Sequence, residues 1–169
     1  MSPVYDGNIK KHTLRDEWGN VNVFMLPFIK PVNVRQAFPD DEINSYTDAV
    51  SCALGHISLD ESERNVILSH QFVTGAIKSD SEEISLGGTD NVDVCAYDKF
   101  DYVALGHIHS PQKLVRDTVR YCGTPLKYSF SEVNHIKSIT VVELKEKGKN
   151  PQIHTVPVTP LHDMREIKG

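Results

Sequence analysis

The sequence FDYVALGHIHSPQ occupies residues 100–112 and contains the main evidence for the fold. Its first part, Asp101 to Leu105, is short and apolar, which predicts a buried β-strand. Gly106 follows, and a glycine at the end of a strand permits a sharp bend or a close backbone approach. His107 and His109 come next, and in an extended segment residues two apart project from the same side. The pattern therefore predicts a strand that ends in a pair of histidines.

A second short apolar segment, Asn65 to Leu68, predicts a buried strand that delivers Ser69 and His70 at its carboxyl end. Ligands collect at the carboxyl ends of strands in α/β sheets, and neutral imidazole is a common ligand of Mn, Fe and Zn. His70, His107 and His109 are therefore the candidate metal ligands. The residues alone also permit three loop histidines that contact water or backbone carbonyls. A two-metal hydrolase site needs anionic bridging ligands as well.

The clearest helix is predicted near residues 41–57, from about Asp41 to His56. Its apolar residues recur at helical spacing on one face, which predicts packing against a sheet. Asp40, Asp41 and Glu42 are predicted to cap its amino end. His56, at the carboxyl end, is interpreted as a histidine stabilised by the helix dipole rather than as a metal ligand.

Strands predominate in the rest of the chain. The sequence predicts a buried strand at Val21 to Leu26, a hairpin of Lys113 to Arg116 with Val119 to Cys122, and two final strands at Ser138 to Leu144 and Gln152 to Val158. Two segments are predicted as loops: Pro31 to Pro39, which carries Arg35, and the polar stretch Thr74 to Asp90. Together these elements predict an α/β layered domain whose second half is mostly antiparallel, with one main helix.

Composition limits the possible functions. The net charge of −5 argues against a protein that coats nucleic acid by bulk attraction. It does not exclude a nuclease, because bound divalent cations reverse the local charge at an active site. Three cysteines without C-x-x-C spacing predict reduced thiols and a cytoplasmic location. No apolar run approaches the roughly 18 residues that cross a bilayer, so no membrane association is expected.

Several segments resemble SbcD-type DNA-repair exonucleases, members of the calcineurin-like metallophosphoesterase superfamily. GHIH at 106–109 is common to that superfamily, and RYCGTPLKYSFSE at 120–132 and LPFIKP at 26–31 are similar to the SbcD family in particular. SHQ at 69–71 and LGG at 86–88 match in the same order. The resemblance covers nearly the whole chain, and it implies part of a four-layer metallophosphoesterase sandwich.

The resemblance also implies a function. His70 and His107 correspond to ligands of one metal ion, and His109 corresponds to a ligand of the other. The implied ions are Mn²⁺, which activate a water that attacks a DNA phosphodiester and stabilise the leaving oxygen. The implied partners are DNA and an SbcC-type ATPase. Four basic residues near the histidines are candidates for phosphate contacts, with an ordinary solvated surface as the alternative: Lys113, Arg116, Arg120 and Lys127.

The sequence departs from the family in one respect: it has no Asp-x-His, Gly-Asp-x-x-Asp or Gly-Asn-His-Asp motif. In the family, these motifs supply the carboxylates, further ligands and the general acid. Residues 1–158 therefore correspond to the C-terminal half of the nuclease domain, and 159–169 to the start of a linker to a capping domain. No catalytic residue can be assigned, and the acidic run Asp80, Glu82 and Glu83 is a poor substitute for the missing carboxylates.

Three outcomes follow for the isolated chain. The expected one is an inactive distal half of a Mn²⁺-dependent exonuclease and endonuclease, which requires the N-terminal half as a partner. The alternatives are a non-catalytic module that binds a partner or DNA, and a phosphoesterase acting on small phosphate esters. An incomplete domain is also expected to expose apolar surface and to self-associate or be marginally stable.

Overall fold

A computed structural model describes residues 5–77 and 90–167 of the chain. These residues form an α/β fold of eight strands, two α-helices and two short 3-10 helices, at Val94–Tyr97 and Phe130–Glu132. The strands are β1 Lys10–Asp16, β2 Gly19–Leu26, β3 Arg64–His70, β4 Tyr102–Gly106, β5 Gln112–Lys113, β6 Val119–Tyr121, β7 Ser138–Glu143 and β8 Gln152–Pro157. The helices are α1 Pro31–Ala37 and α2 Tyr46–Gly55.

Six strands of the described chain form one mixed sheet in the order β1-β2-β3-β4-β6-β5. Strands β2, β3, β4 and β6 are parallel, while β1 and β5 pair antiparallel at the two edges. Strands β7 and β8 form a separate antiparallel pair. Two of the three strand pairings after residue 100 are therefore antiparallel, as expected. The register places His70 opposite Gly106, so the carboxyl ends of β3 and β4 lie side by side.

One face of the sheet carries the hydrophobic core. Phe24, Ile67 and Val103 lie opposite one another on neighbouring strands and are almost completely buried. They belong to one cluster with Val50 and Ala53 of α2. Because each buried aliphatic or aromatic side chain contributes roughly 1.5–3 kcal/mol, this cluster holds the helices on the sheet.

The other face of the sheet is partly open at the carboxyl end of the strands. Met25, Leu68 and Ala104 lie opposite one another there, and Leu68 is 42% exposed although its strand is central. An open groove of about 610 Å³ runs along this face and reaches His70. A central strand with an exposed leucine agrees with the expectation of uncovered apolar surface. Self-association of the chain stays a prediction.

The predicted helix begins too early. Helix α2 starts at Tyr46, because Ser45 and Asp48 form a capping box: Asp48 N donates to Ser45 Oγ at 3.0 Å, and Ser45 N donates to Asp48 Oδ2 at 2.9 Å. The predicted capping role of Asp40, Asp41 and Glu42 is therefore wrong, since these residues lie in the preceding loop.

Two further elements differ from expectation. The predicted loop between Pro31 and Pro39 contains helix α1, with Pro31 in its first turn, where proline lacks no needed hydrogen bond. Strand β1 was not predicted, because all seven of its residues are exposed and it has no hydrophobic alternation. Most of the predicted loop Thr74 to Asp90, including Asp80, Glu82 and Glu83, lies outside the described residues. Within the described ranges, no helix has the length and apolar character needed to cross a membrane.

Candidate metal centre at the ends of the parallel strands

His70 and His107 meet at the carboxyl ends of β3 and β4. Their ring centroids are 5.4 Å apart, and the ring planes are almost perpendicular, at 89°. The parallel register explains this proximity, because it aligns the last residue of β3 with the last residue of β4. The structure thus brings together two of the three histidines that the sequence singled out.

Gly106 makes room for the His70 ring. A Cβ atom added at residue 106 would lie 2.8 Å from His70 Nδ1, which is too close for a non-bonded contact. Any side chain at this position would therefore push the imidazole out of its place beside His107. The sequence suggested a close approach at Gly106, and the imidazole of His70 is the group that approaches.

His107 has an unusual backbone conformation. Its φ is 108°, and among the described residues it is the one non-glycine residue with a positive φ. A side chain in such a conformation costs of order 1–3 kcal/mol, and such positions cluster at functional sites. The strain turns the chain sharply where β4 ends and directs His107 toward His70 and the ring of Phe28, whose centroid is 6.3 Å from that of His107.

His109 is held by a buried carboxylate. Its Nδ1 lies 3.0 Å from Glu132 Oε1, and Glu132 has no exposed surface. A carboxylate at one ring nitrogen sets the orientation of an imidazole and leaves the other nitrogen, Nε2, for a metal ion. This arrangement is typical of metal-binding histidines.

Lys137 neutralises Glu132 and holds the backbone of His109. Lys137 Nζ lies 2.6 Å from Glu132 Oε2 and donates to the His109 carbonyl oxygen at 2.9 Å and to Thr124 Oγ1 at 2.9 Å. Thr124 N donates to the same carbonyl at 3.1 Å. The segment after β6 thus holds the histidine loop from behind.

Sequence reasoning assigned no role to Glu132 or Lys137. Both side chains are buried, at 0% and 4% exposure, although charged residues are rarely buried unless they are paired. Glu132 ends a stretch that matched the family, but its chemical role depends on contacts with residues 23 positions upstream and 5 downstream. No local pattern reports such contacts.

The donor set fits part of a metal centre. Burial of the imidazole lowers the pKa of His70 below the usual 6.5, so the ring is neutral at physiological pH, as a metal ligand must be. Neutral imidazoles suit Mn, Fe and Zn. The three histidines do not supply the anionic bridge that two neighbouring cations require, so they account for only one side of a two-metal centre. That all three bind metal stays a prediction.

The lowered pKa of His70 has a measurable consequence. The group titrates below pH 6.5 in the folded chain and near 6.5 in the unfolded chain. The unfolded state therefore binds more protons between these two values, and His70 makes the fold less stable as the pH falls below 6.5. We expect NMR titration of the metal-free chain to place His70 below exposed His154. A His70 value equal to that of His154 would contradict the prediction.

The four basic candidates have protein partners in most cases. Lys113 pairs with Asp117, Arg116 with Asp98 and Lys127 with Asp163. The Lys127 side chain is only 11% exposed. For Arg120, the buried Nε has no hydrogen-bond partner among the described residues. Contact of these residues with DNA stays a prediction, and for the three paired residues it would compete with an existing ion pair.

Two curated relatives are similar to this chain, although no family model matches it. The SbcD subunit of the nuclease SbcCD from Staphylococcus epidermidis is 34% identical over 156 residues, covering 90% of this chain and 41% of the relative. The protein of the same name from Staphylococcus saprophyticus is 32% identical over 154 residues, covering 89% of this chain and 40% of the relative. The chain therefore spans about two fifths of the length of these relatives.

Proposed function

We propose that this chain, a segment of an SbcD-type nuclease, provides one side of the two-metal centre with which such a nuclease hydrolyses DNA. The observation that carries the proposal is the convergence of His70 with the strained His107, beside a His109 that Glu132 orients. A solvated loop needs neither a strained backbone nor a fully buried carboxylate behind its histidine.

Each residue has a defined task in this proposal. His70 and His107 hold one ion, and His109 holds the second through Nε2. Glu132 keeps the His109 ring in place, and Lys137 balances the charge of Glu132 in the interior. The ions, Mn²⁺ by resemblance, supply an activated water and stabilise the charge that develops on the phosphate oxygens.

The carboxylate ligands and the general acid come, in this proposal, from a region that precedes the chain in the full-length protein. The motifs that supply them in the family are absent from the sequence. The open sheet face beside His70, with Leu68 at its centre, is a suitable surface for that region. The isolated chain is therefore inactive.

The wider biological role follows from the names of the relatives. The relatives belong to a nuclease named SbcCD, so the complete protein acts with an SbcC-type ATPase on DNA ends, as an exonuclease and endonuclease in repair and recombination. A cytoplasmic location agrees with this role, and it also agrees with three free cysteines.

The test is Mn²⁺-dependent cleavage of linear duplex DNA by the chain, alone and mixed with the N-terminal region of the relative from S. epidermidis. We expect no cleavage by the chain alone, and cleavage by the mixture that His109→Ala abolishes. His154→Ala is the matched control, because His154 is an exposed histidine of β8.

Other outcomes separate the competing functions. Cleavage by the chain alone that His109→Ala removes would mean that the chain contains a complete site. Preference for a nitrophenyl phosphate ester over DNA would favour a small-ester phosphoesterase. DNA binding without cleavage, even in the mixture, would favour a non-catalytic module.

A further inference from the structure

A second group of metal-binding side chains lies at the carboxyl end of helix α2. Cys52 and His56 are four residues apart, so they lie on the same side of the helix end, and Asp41 reaches them from the preceding loop. Asp41 Oδ2 is 3.2 Å from Cys52 Sγ and 2.9 Å from His56 Nε2. The three ligand atoms all lie within 4.8 Å of one another.

The surrounding residues hold this group in place. The ring of Phe38 stacks on His56, with centroids 3.9 Å apart and planes 3° from parallel. Asp41 N donates to the Phe38 carbonyl oxygen at 3.3 Å, and His56 N donates to the Cys52 carbonyl oxygen at 3.2 Å. The loop and the helix end thus present their side chains to each other without a further change of the backbone.

The distances are close to those of a tetrahedral metal site. Zinc bonds of about 2.3 Å to sulfur and about 2.0–2.2 Å to nitrogen and oxygen place tetrahedral ligand atoms about 3.4–3.6 Å apart. The two observed separations from Asp41 Oδ2 are shorter than this by about half an ångström or less. Small side-chain rotations would therefore admit an ion between the three atoms.

We propose that Asp41, Cys52 and His56 bind one Zn²⁺ ion, in addition to the metal centre at the strand ends. One thiolate, one imidazole and one carboxylate form a donor set that suits zinc and not Mg²⁺ or Ca²⁺. The side chains of Asp41 and His56 are almost half exposed, so water completes the fourth position. The bound ion links the loop before α2 to the end of that helix.

Binding exchanges a proton for the ion. In the metal-free chain, burial and the hydrogen bond to Asp41 raise the pKa of Cys52 to about 11, so the thiol is protonated and donates to Asp41. The ion takes the place of that proton, which passes to water. The competing interpretation is a hydrogen-bonded trio in which Asp41 accepts from Cys52 and His56 and no metal binds.

The test is titration of the intact chain with Co²⁺, which replaces Zn²⁺ and absorbs light. We expect one ion per chain to produce a thiolate-to-cobalt charge-transfer band in the near ultraviolet, which added Zn²⁺ removes. Cys52→Ser should abolish the band, and Asp41→Asn and His56→Gln should each weaken binding at least about tenfold, because each removes a ligand. The histidines at the strand ends cannot give this band, because imidazole has no sulfur.

Matched controls are available within the chain. Cys95 lies beside Asp93 without a histidine partner in any contact that the structure records, and Cys122 borders the groove that reaches His70. Cys95→Ser, Cys122→Ser and His109→Ala should all keep the band. Absence of the band from the unsubstituted chain, or its survival in Cys52→Ser, would overturn the proposal. Circular dichroism of each metal-free variant checks that α2 is still folded, and Asp41→Asn keeps the shape of the side chain should Cys52→Ser unfold.

Discussion

Replacing Lys137 with methionine is expected to lower the free energy of unfolding by about 3–5 kcal/mol. Methionine fills a similar volume, but it leaves the carboxylate of Glu132 without its partner at 2.6 Å in a completely buried position. The substitution also removes the donor that Lys137 supplies to the His109 carbonyl. Urea unfolding followed by circular dichroism measures the change.

A double substitution separates the charge from the packing. Lys137→Met combined with Glu132→Gln should recover much of the loss, since no charge then remains unpaired in the interior. Lys113→Met is the surface control, because its pair with Asp117 is exposed on both sides and surface pairs contribute little. Equal effects of Lys137→Met and Lys113→Met would show that the interior pair has no special importance.

Replacing Gly123 with alanine is expected to cost about 2–5 kcal/mol, the sum of a backbone cost and an overlap cost. Gly123 has a φ of 74°, a conformation that L side chains rarely adopt. A Cβ atom there would lie 2.7 Å from the His109 carbonyl oxygen and 2.7 Å from Pro111 Cδ. Neither group can move freely, because the backbone of His109 is held by Thr124 and Lys137.

Gly148 provides the matched control for this prediction. Its φ of 84° is similar, but a Cβ atom at that position meets nothing within 4 Å. Gly148→Ala therefore carries only the backbone cost, about 1–2 kcal/mol. The difference between the two variants in thermal or urea unfolding measures the overlap with the histidine loop. If the two variants are equally stable, the loop yields without cost and its proposed rigidity is wrong.

Both predictions concern the support of the site, which sequence reasoning did not find. The pattern at residues 100–112 was sufficient to predict a strand that ends in histidines, and the structure confirms strand β4 at Tyr102–Gly106. Asn65 to Leu68 likewise predicted most of β3 and placed His70 at its end. These predictions succeeded because a buried parallel strand is a short continuous apolar segment, and such a segment is visible in the sequence.

Other elements failed for identifiable reasons. Strand β1 is exposed along its whole length, and its partner β2 specifies it rather than its own composition. Helix α1 lies between two prolines that suggested a loop, although a proline in the first turn is compatible with a helix. The start of α2 depends on the capping box at Ser45, three residues after the acidic run that appeared to be the cap.

The sequence by itself determined the α/β class, the two strands that carry the candidate ligands, and the identity of His70, His107 and His109. It could do so because those properties are local, and each depends on the order of residues along a single segment. The tertiary structure decided that His70 faces His107, that His107 is strained, and that Glu132 and Lys137 support His109. It also brought Asp41 to Cys52 and His56. These features depend on contacts between segments that only the folded chain brings together, and no local pattern contains that information.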